Sequence, residues 1–417
     1  MTSLSKSARA AALALFAGLV LGAGSAVAGE IHVLLGVDPA DASGDVLLSA
    51  SLAPAQSLTK ATGSRTTIAQ TSSMSDVMRA SRTVENEIII APAHVTASAI
   101  LHAYQLLATS GQEQTYALVV RNDIDKVEKL AGKRLYLPQQ DSLRSYMAKG
   151  LLTESGVKLG QFSKITYGNT SGGGLVALSF DMADVTVADE TQAKEWITQH
   201  PGQARILKTT RPVPGGMNMV VRKDFCATEC ARLSDWVNSP DGAIPGIGRF
   251  RMATADATRQ FTYVASLGIA TPEAINGVTR VGAEQVADLG RQGATIVDTR
   301  SQKEYDNEHI RGAVLASYLE KSLKEVDFDA KKDDFSALKT IPKDKPVVFL
   351  CNGPECWKSY KASRAALAEG YTKIFWFRGG MPEWREKRLP VEGSAGAALA
   401  KLPAPTQSRG KTVAAVR

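Results

Sequence analysis

An apolar, β-branched run ends at a cysteine in the stretch Val347-Val348-Phe349-Leu350-Cys351-Asn352-Gly353-Pro354-Glu355-Cys356-Trp357-Lys358-Ser359. A polar loop with glycine and proline follows, and a helical pattern begins at Ser359. This order predicts a buried strand, a loop and a helix, with Cys351 at the strand end. Because the N–H groups and dipole of a helix N-terminus favour an anion, a thiol there is activated. Cys351 is therefore predicted to be reactive, the alternative being a buried structural cysteine.

Motifs on both sides of this stretch make the segment from Val278 to Glu392 similar to the rhodanese family. They are Asp298-Thr299-Arg300, Glu304-Tyr305, His309-Ile310-Arg311-Gly312-Ala313, Gly370-Tyr371 and Arg378-Gly379-Gly380-Met381-Pro382-Glu383-Trp384. The resemblance implies a small α/β domain with a parallel sheet. It also implies a sulfurtransferase in which Cys351 takes sulfane sulfur from a donor and passes it to a thiol acceptor. Asp298, Arg300 and His309 are expected to brace the fold.

The loop departs from the usual rhodanese pattern. Ser359 lies eight residues after Cys351, and Lys358 stands where the family often has arginine. Glu355 and Cys356 are inserted, and Glu355 is expected to face solvent because an inward carboxylate opposes thiolate formation. Cys356 is a resolving thiol, a disulfide partner of Cys351 or a bystander, and the sequence leaves these alternatives open.

The predicted rhodanese site follows from this loop. The residues expected to take part in catalysis are Cys351, Lys358 and Cys356. Lys358 is expected to add positive charge near the sulfur, and Arg364 to do so if its helix faces the loop. The remaining residues of the active-site loop are Asn352, Gly353, Pro354, Glu355, Trp357 and Ser359.

The first 28 residues have the pattern of a cleavable secretory signal. Lys6 and Arg9 form a basic start, residues 10–21 are apolar, and Ala26-Val27-Ala28 is an A-x-A cleavage site. An uncleaved anchor is the alternative. We expect a periplasmic protein with no transmembrane segment after cleavage.

The net charge of +7 comes mostly from the two ends of the chain. The first 28 residues carry two basic side chains and the last 25 carry four, neither with an acid, which leaves about +1 for the rest. A nearly neutral body gives no reason to expect nucleic acid binding. The tail after residue 392 is rich in Ala, Pro, Ser and Lys, and is expected to be a disordered basic segment.

Residues 31–267 alternate between strand-like and helix-like stretches, which predicts mostly parallel sheet covered by helices. This part is similar to the phosphate/phosphonate-type periplasmic substrate-binding proteins of ABC transporters. The residues carrying the likeness are Ile90-Ala91-Pro92-Ala93-His94, Leu130-Ala131-Gly132-Lys133-Arg134-Leu135 and Ala183-Asp184-Val185-Thr186-Val187-Ala188. The resemblance implies a two-lobed type 2 binding fold with a small ligand, anions included, in the cleft.

Mapping that family's cleft onto this sequence gives candidate ligand-binding residues in three loops. They are His94, Gln140, Ser142, Thr170, Ser171 and Gly172. Asp141 places a carboxylate beside them, and we interpret it as an N-cap of the following helix, with a ligand-facing role as the alternative. The glycine run could equally be a turn with no ligand.

Cys226 and Cys230 lie four residues apart at a predicted helix start, so both sulfurs share one face. In an oxidising compartment an even cysteine count favours pairing, and a local disulfide is predicted. No histidine lies nearby to complete a metal site, and neither a metal nor a cofactor is predicted.

The predicted organisation is α/β throughout. It comprises a signal peptide (1–28), a substrate-binding-protein-like domain (29–268), a linker (269–280), a rhodanese-like domain (281–392) and the tail (393–417). The predicted function is sulfane sulfur transfer through Cys351. The alternative is a non-enzymatic periplasmic binding or accessory protein with its own protein partner, or a thiol-redox module using Cys351 and Cys356.

Overall fold

The computed structural model describes residues 29–40, 52–168, 170, 172–254 and 256–394. The predicted signal peptide and the basic tail lie outside these residues, as does Ser171. Within the part of the chain so described, no helix is both long and apolar enough to cross a membrane.

The first part of the chain forms two lobes, each built on one sheet. The strands are β1 (Ile31–Gly36), β2 (Thr66–Thr71), β3 (Ile88–Ala91), β4 (Tyr104–Thr109), β5 (Glu113–Gln114), β6 (Tyr116–Arg121), β7 (Arg134–Leu137), β8 (Lys164–Tyr167), β9 (Val185–Asp189), β10 (Ala204–Thr209), β11 (Val213–Pro214), β12 (Asn218–Arg222), β13 (Ala243–Ile244), β14 (Gly248–Arg249) and β15 (Arg251–Met252). The helices are α1 (Leu52–Thr62), α2 (Met74–Thr83), α3 (Ala93–Ile100), α4 (Leu143–Thr153), α5 (Gly173–Ser179), α6 (Glu190–Gln199), α7 (Lys223–Asn238) and α8 (Ala257–Ser266).

Both sheets are mixed, so the expectation of mostly parallel pairing is wrong for this domain. The first sheet has the order β15-β4-β12-β3-β1-β2 and the second has β10-β6-β9-β7-β8. In the first sheet β1 pairs parallel with β2 and β3, whereas β12 pairs antiparallel with β3 and β4. The chain leaves this lobe after β4, builds the second lobe and returns through β12, which therefore runs in the opposite direction.

The last part of the chain is a smaller α/β domain. Its strands are β16 (Thr279–Arg280), β17 (Thr295–Asp298), β18 (His309–Ile310), β19 (Val314–Leu315), β20 (Val347–Leu350), β21 (Ile374–Phe377) and β22 (Val391–Glu392). Its helices are α9 (Ala283–Arg291), α10 (Gln302–Asn307), α11 (Trp357–Ala368) and α12 (Gly380–Glu386). The main sheet has the order β16-β21-β20-β17-β19 and is parallel throughout, as predicted.

Strand β20 lies at the centre of this sheet, and all four of its residues are buried. A parallel strand covered on both faces is expected to be continuously apolar, which is what the Val-Val-Phe-Leu run provides. Val347 and Phe349 pack into one apolar cluster and Val348 and Leu350 into another, on opposite faces of the sheet. The α/β architecture and the two-lobed first domain agree with the predicted fold class.

Candidate active site: a cysteine pair in the cleft between the domains

Cys351 follows the last residue of β20 and is 2% exposed. The neighbouring strand β17 ends at Asp298, and Thr299 Oγ1 donates a 2.8 Å hydrogen bond to the Leu350 carbonyl oxygen. The carboxyl ends of parallel strands meet at one edge of a sheet, where α/β proteins place their functional loops. Cys351 therefore stands at the edge where chemistry is expected.

Two glycines allow the loop after Cys351 to turn tightly. Gly353 has φ +89° and its carbonyl oxygen accepts a 3.1 Å hydrogen bond from the Cys356 N–H. Gly380 has φ +56°, and a Cβ there would collide with the carbonyl oxygen of Cys351. Without that Cβ, the N–H of Met381 reaches the same oxygen at 3.0 Å. Gly380, from the motif that ends at Trp384, thus shapes the cysteine loop directly.

The structure joins the sulfurs of Cys351 and Cys356 in a disulfide, with their Cα atoms 6.1 Å apart. Helix α11 begins at Trp357 rather than at the predicted Ser359, and Cys356 is its N-cap residue. The pair therefore bridges the end of the central strand to the start of the helix. Among the alternatives for Cys356, the structure contains the disulfide partner.

The expectation that Glu355 faces solvent is wrong. Its side chain is 1% exposed, and Oε1 lies 2.9 Å from His102 Nε2. Ser98 Oγ donates to the same oxygen at 3.3 Å. Because the first domain covers this loop, the side chain of Glu355 is shielded from solvent. Burial by itself raises the pKa of Glu355, but the hydrogen bond and charge of His102, with Arg82 further away, hold that pKa below its ordinary value.

Lys358 lines the same cleft as the two cysteines. Its Nζ donates a 2.7 Å hydrogen bond to the Tyr318 carbonyl oxygen and lies 5.2 Å from the centre of that ring. Burial lowers the pKa of Lys358, against the opposing effect of Glu320 and Glu304. Arg364 points elsewhere and donates to the Val326 carbonyl oxygen.

The other loop residues hold the loop in place. Asn352 Nδ2 donates to Glu304 Oε1 at 2.5 Å, and the Pro354 carbonyl oxygen accepts a 2.8 Å hydrogen bond from the N–H of Thr271. Trp357 is 5% exposed, and Ser359 Oγ accepts a hydrogen bond from Trp376 Nε1 at 3.1 Å. These contacts fix the position of the loop relative to the neighbouring elements.

The bracing role expected for the upstream motif is visible in its contacts. Arg300 Nη2 lies 2.6 Å from Asp298 Oδ2, with both side chains buried, and donates to the Glu308 carbonyl oxygen at 2.6 Å. His309 Nδ1 lies 2.7 Å from the Tyr305 carbonyl oxygen, and the two rings stack 3.8 Å apart.

A cleft of about 450 Å³ opens over the cysteine pair, between α2 of the first domain and the loops of the second. We call it the cysteine cleft. Arg79 and Arg82 of α2 and the loop residues Cys351, Cys356 and Lys358 all line it. Sequence reasoning missed Arg79, Arg82, Ser98 and His102 because no local motif connects them to a loop about 250 residues later.

Asp141 anchors the second domain to the first. It forms an ion pair with Lys324 Nζ and accepts hydrogen bonds from Ser75 Oγ at 2.5 Å and Tyr146 OH at 2.9 Å. Burial raises the pKa of Asp141, but Lys324 and the Ser75 hydroxyl outweigh it and hold that pKa well below its usual range. Our N-cap interpretation of Asp141 is wrong, because Ser142 Oγ accepts from the Ser145 N–H at 3.2 Å and caps α4.

The predicted ligand-binding residues that the structure describes in the first domain have several different surroundings. His94 is completely buried, and neither ring nitrogen has a hydrogen-bond partner. Gln140 Oε1 accepts from the Lys324 N–H at 2.9 Å and so faces the second domain. Thr170 is exposed, and Gly172 is the N-cap of α5. Helix packing and domain docking engage His94, Gln140 and Ser142.

The cavity between the two lobes is lined by other residues. Its volume is about 170 Å³, and Val37, Asp38, Tyr116, Met217 and Ile247 are among its lining. This wall is largely apolar and carries the carboxylate of Asp38. Of the predicted ligand-binding residues that the structure describes, none lines this cavity.

Cys226 and Cys230 are joined in a second disulfide on α7, with Cα atoms 4.5 Å apart. Gln105 Nε2 lies 2.7 Å from the Cys226 sulfur, and Cys226 packs into the apolar cluster of the first lobe. Across the described ranges, we find no group of three or more His, Cys, Asp or Glu side chains placed to hold a metal ion.

Comparison with known families gives two matches in different parts of the chain. The family described as "ABC transporter, phosphonate, periplasmic substrate-binding protein" matches residues 39–237. The family described as "Rhodanese-like domain" matches residues 282–387. Among curated proteins none matches this chain.

Several solved structures are similar to parts of this chain. PhnD1 from Prochlorococcus marinus in complex with methylphosphonate is 13% identical, with a TM-score of 0.41 and coverage of 57% of this chain and 97% of that one. A binding protein component of an ABC phosphonate transporter from Pseudomonas aeruginosa is 14% identical, with a TM-score of 0.41 and coverage of 63% and 93%. The BH2092 protein from Bacillus halodurans is 24% identical, with a TM-score of 0.23 and coverage of 28% and 80%.

Both resemblances noted in the sequence are confirmed by the family matches. The chain contains a phosphonate-type periplasmic substrate-binding protein domain followed by a rhodanese-like domain.

Proposed function

We propose that this protein is an exported sulfurtransferase that moves sulfane sulfur through Cys351. The observation that carries the proposal is the position of Cys351, at the end of the central strand of a rhodanese-like domain and on the wall of a cleft. The family of the first domain suggests a periplasmic location. In that compartment the Cys351–Cys356 disulfide would be a resting state that reduction opens.

In the reduced protein, the Cys351 thiolate attacks the outer sulfur of a sulfane donor such as thiosulfate. The new S–S bond forms on Cys351, the S–S bond of the donor breaks, and sulfite leaves with the electron pair. The persulfide then gives its outer sulfur to an acceptor thiolate, which regenerates the Cys351 thiolate. The surrounding cationic side chains, Lys358 among them, favour both anionic forms of the cysteine.

Cys356 gives this persulfide a second outcome. Its thiolate can attack the Cys351 sulfur, forming the Cys351–Cys356 disulfide and releasing hydrosulfide. The position of Cys356, bonded to Cys351 in the structure, supports this resolving role. The same bond favours a second candidate function, in which the pair exchanges only with protein thiols and the domain is a thiol-redox module.

The first domain is proposed to bind a small ligand in the cavity between its lobes. Its largely apolar wall and its volume of about 170 Å³ support a small molecule. We do not assign phosphate or phosphonate to it.

Peptide mass analysis before and after thiosulfate tests the proposal. The Cys356→Ser variant is reduced, freed of the reductant and incubated with thiosulfate, and one additional sulfur is expected to persist on Cys351. The natural chain, treated in the same way, should release hydrosulfide and return to the disulfide. A reduced Cys356→Ser variant that gains no sulfur would overturn the sulfurtransferase and leave the redox module as the better account.

A further inference from the structure

Arg82, in the last turn of α2, is a buried cation without a visible partner. Its side chain belongs to a residue only 7% exposed, and Nε has no hydrogen-bond partner. In the described part of the chain its guanidinium forms no ion pair with a carboxylate within 4.0 Å. Burying the Nε–H of a guanidinium without a partner is costly, so the place of Arg82 in the fold calls for an explanation.

The carboxylate of Glu355, whose pKa is lowered by the charge of Arg82, is already engaged. Its oxygen Oε1 accepts a hydrogen bond from Ser98 Oγ and lies within hydrogen-bond distance of His102 Nε2. Arg79, one turn earlier, is different from Arg82, because it is 34% exposed at its side chain and lies 3.5 Å from Asp76. Arg82 is thus the arginine of α2 that remains available to a ligand.

The surroundings of Arg82 favour an anion. Six cationic and four acidic side chains line the cysteine cleft. Of the acidic ones, Glu320 lies 2.6 Å from Lys361 Nζ, and Glu304 accepts hydrogen bonds from Ser301 and Asn352. The carboxylates that line the cleft therefore already have partners, whereas Arg82 has no carboxylate partner there. Planar guanidinium groups bind oxyanions through paired N–H donors more specifically than ammonium groups do.

We infer that Arg82 is an anion-binding residue of the sulfur site, supplied by the substrate-binding-protein domain to the rhodanese-like domain. This inference rests on the proposed function and adds to it a residue that holds the donor. The donor carries a sulfane sulfur on a sulfonyl group, as thiosulfate and thiosulfonates do. Arg82 holds the sulfonyl oxygens while the Cys351 thiolate attacks the sulfane sulfur, and sulfite or a sulfinate leaves with the electrons of the broken S–S bond.

The arrangement gives the domain fusion a chemical reason. Helix α2 supplies the arginine, and the loop after β20 supplies the nucleophile. Either domain by itself would have half of the site. The contacts of Glu355 with His102 and of Lys324 with Asp141 hold the halves in register.

Equilibrium binding of thiosulfate separates this inference from the chemistry. The full chain carrying Cys351→Ser cannot take up sulfur at that position, and calorimetry on it reports binding alone. Adding Arg82→Gln should weaken thiosulfate binding by about tenfold or more, the range for a charge-assisted hydrogen-bonded pair. Adding Arg82→Lys should weaken it less, and that variant guards against a folding defect in Arg82→Gln.

The matched control is Arg205→Gln, which removes an exposed positive charge of the first domain away from the cleft. It should leave binding within about twofold of the Cys351→Ser parent, as expected when only screened long-range charge is lost. Equal weakening by Arg82→Gln and Arg205→Gln would overturn the inference, and so would an absence of thiosulfate binding to the parent.

Sulfur uptake by the chain with Cys351 intact is measured in parallel. Uptake that proceeds with no dependence of binding on Arg82 would remove this inference and leave the proposed function. Binding that depends on Arg82 in a protein that never gains sulfur would remove the sulfurtransferase and leave the anion site.

Discussion

The two cysteine pairs of this protein have similar spacing and very different surroundings. Cys226 and Cys230 lie on successive turns of one helix, where the helix itself fixes their separation. Cys351 and Cys356 join a strand to a helix, on the wall of a cleft between two domains. Sequence spacing therefore does not distinguish a structural pair from a reactive one. The charges, burial and access around the sulfurs do.

The largest expected difference between the two pairs is in sulfur uptake. Cys351→Ser should lower thiosulfate-dependent sulfur uptake by at least about a thousandfold, because the nucleophile is gone. The double variant Cys226→Ser/Cys230→Ser should stay within about twofold of its parent, since neither of these two cysteines lines the cysteine cleft. Mass analysis of the peptides measures both in a Cys356→Ser parent, which retains the added sulfur. Comparable losses in the two variants would contradict the assignment of the reactive pair.

As the pH is lowered, the first domain should lose stability before the contacts of the cysteine loop do. Burial lowers the pKa of His94 from 6.5 to about 4, so the unfolded chain takes up a proton between these values while the folded one does not. This difference adds about 3 kcal/mol to the free energy of unfolding above pH 6.5. The added stability is lost as pH falls from 6.5 toward 4. Glu355, with its lowered pKa, adds a loss only at still lower pH.

Urea denaturation of the natural chain and His94→Leu at pH 7 and pH 4.5 measures this. The variant should lose less stability over the interval than the natural chain does. Equal losses would mean that His94 is not the group that protonates on unfolding. The Cys226→Ser/Cys230→Ser variant serves as a control that keeps His94, and it should lose as much as the natural chain.

The contact between the cysteine loop and the first domain should contribute less to the free energy of unfolding than the neutral state of His94 does. His102→Ala leaves the Glu355 carboxylate buried with only the Ser98 hydroxyl, and should lower the free energy of unfolding by about 2 kcal/mol. Because Glu355 lies inside the loop that the disulfide closes, dithiothreitol should also reduce Cys351–Cys356 faster, with Cys226–Cys230 unaffected. In His102→Ala/Glu355→Gln the stability losses should be less than additive. Additive losses would show that the pair does not interact.

The smallest effect should come from breaking the helical disulfide. Cys226→Ser/Cys230→Ser removes a very short covalent loop, and the free energy of unfolding should fall by no more than about 2 kcal/mol. Thermal or urea unfolding under oxidising conditions measures this loss. A larger loss would make this pair the main covalent support of the first lobe and reverse the comparison.

Local sequence patterns were sufficient for much of the site. An apolar run followed by Cys351, Gly353 and Pro354 predicted a strand, a loop and a helix, and these elements are present with the helix starting two residues earlier. The rhodanese motifs and the strand–helix alternation of the first part predicted two α/β domains. Side-chain periodicity and turn residues act over a few positions, and such information is readable from one sequence.

Predictions were wrong for three side chains that contact the other domain. Glu355 was expected in solvent and is buried, and Asp141 was interpreted as a cap and pairs with Lys324. Gln140, chosen for a ligand, binds the backbone of the second domain. In each case domain docking supplied the partner, and no spacing within the sequence encodes it.

The sequence by itself determined the place of Cys351 at the end of β20 and the identity of both domain types. Only the tertiary structure decided what surrounds the sulfur. His102 and Glu355 are 253 residues apart in the chain and 2.9 Å apart in space. Arg82 enters the cysteine cleft because α2 packs beside the loop of another domain. Such contacts depend on how whole surfaces dock, and the free energy of docking is spread over many residues that no single stretch of sequence contains.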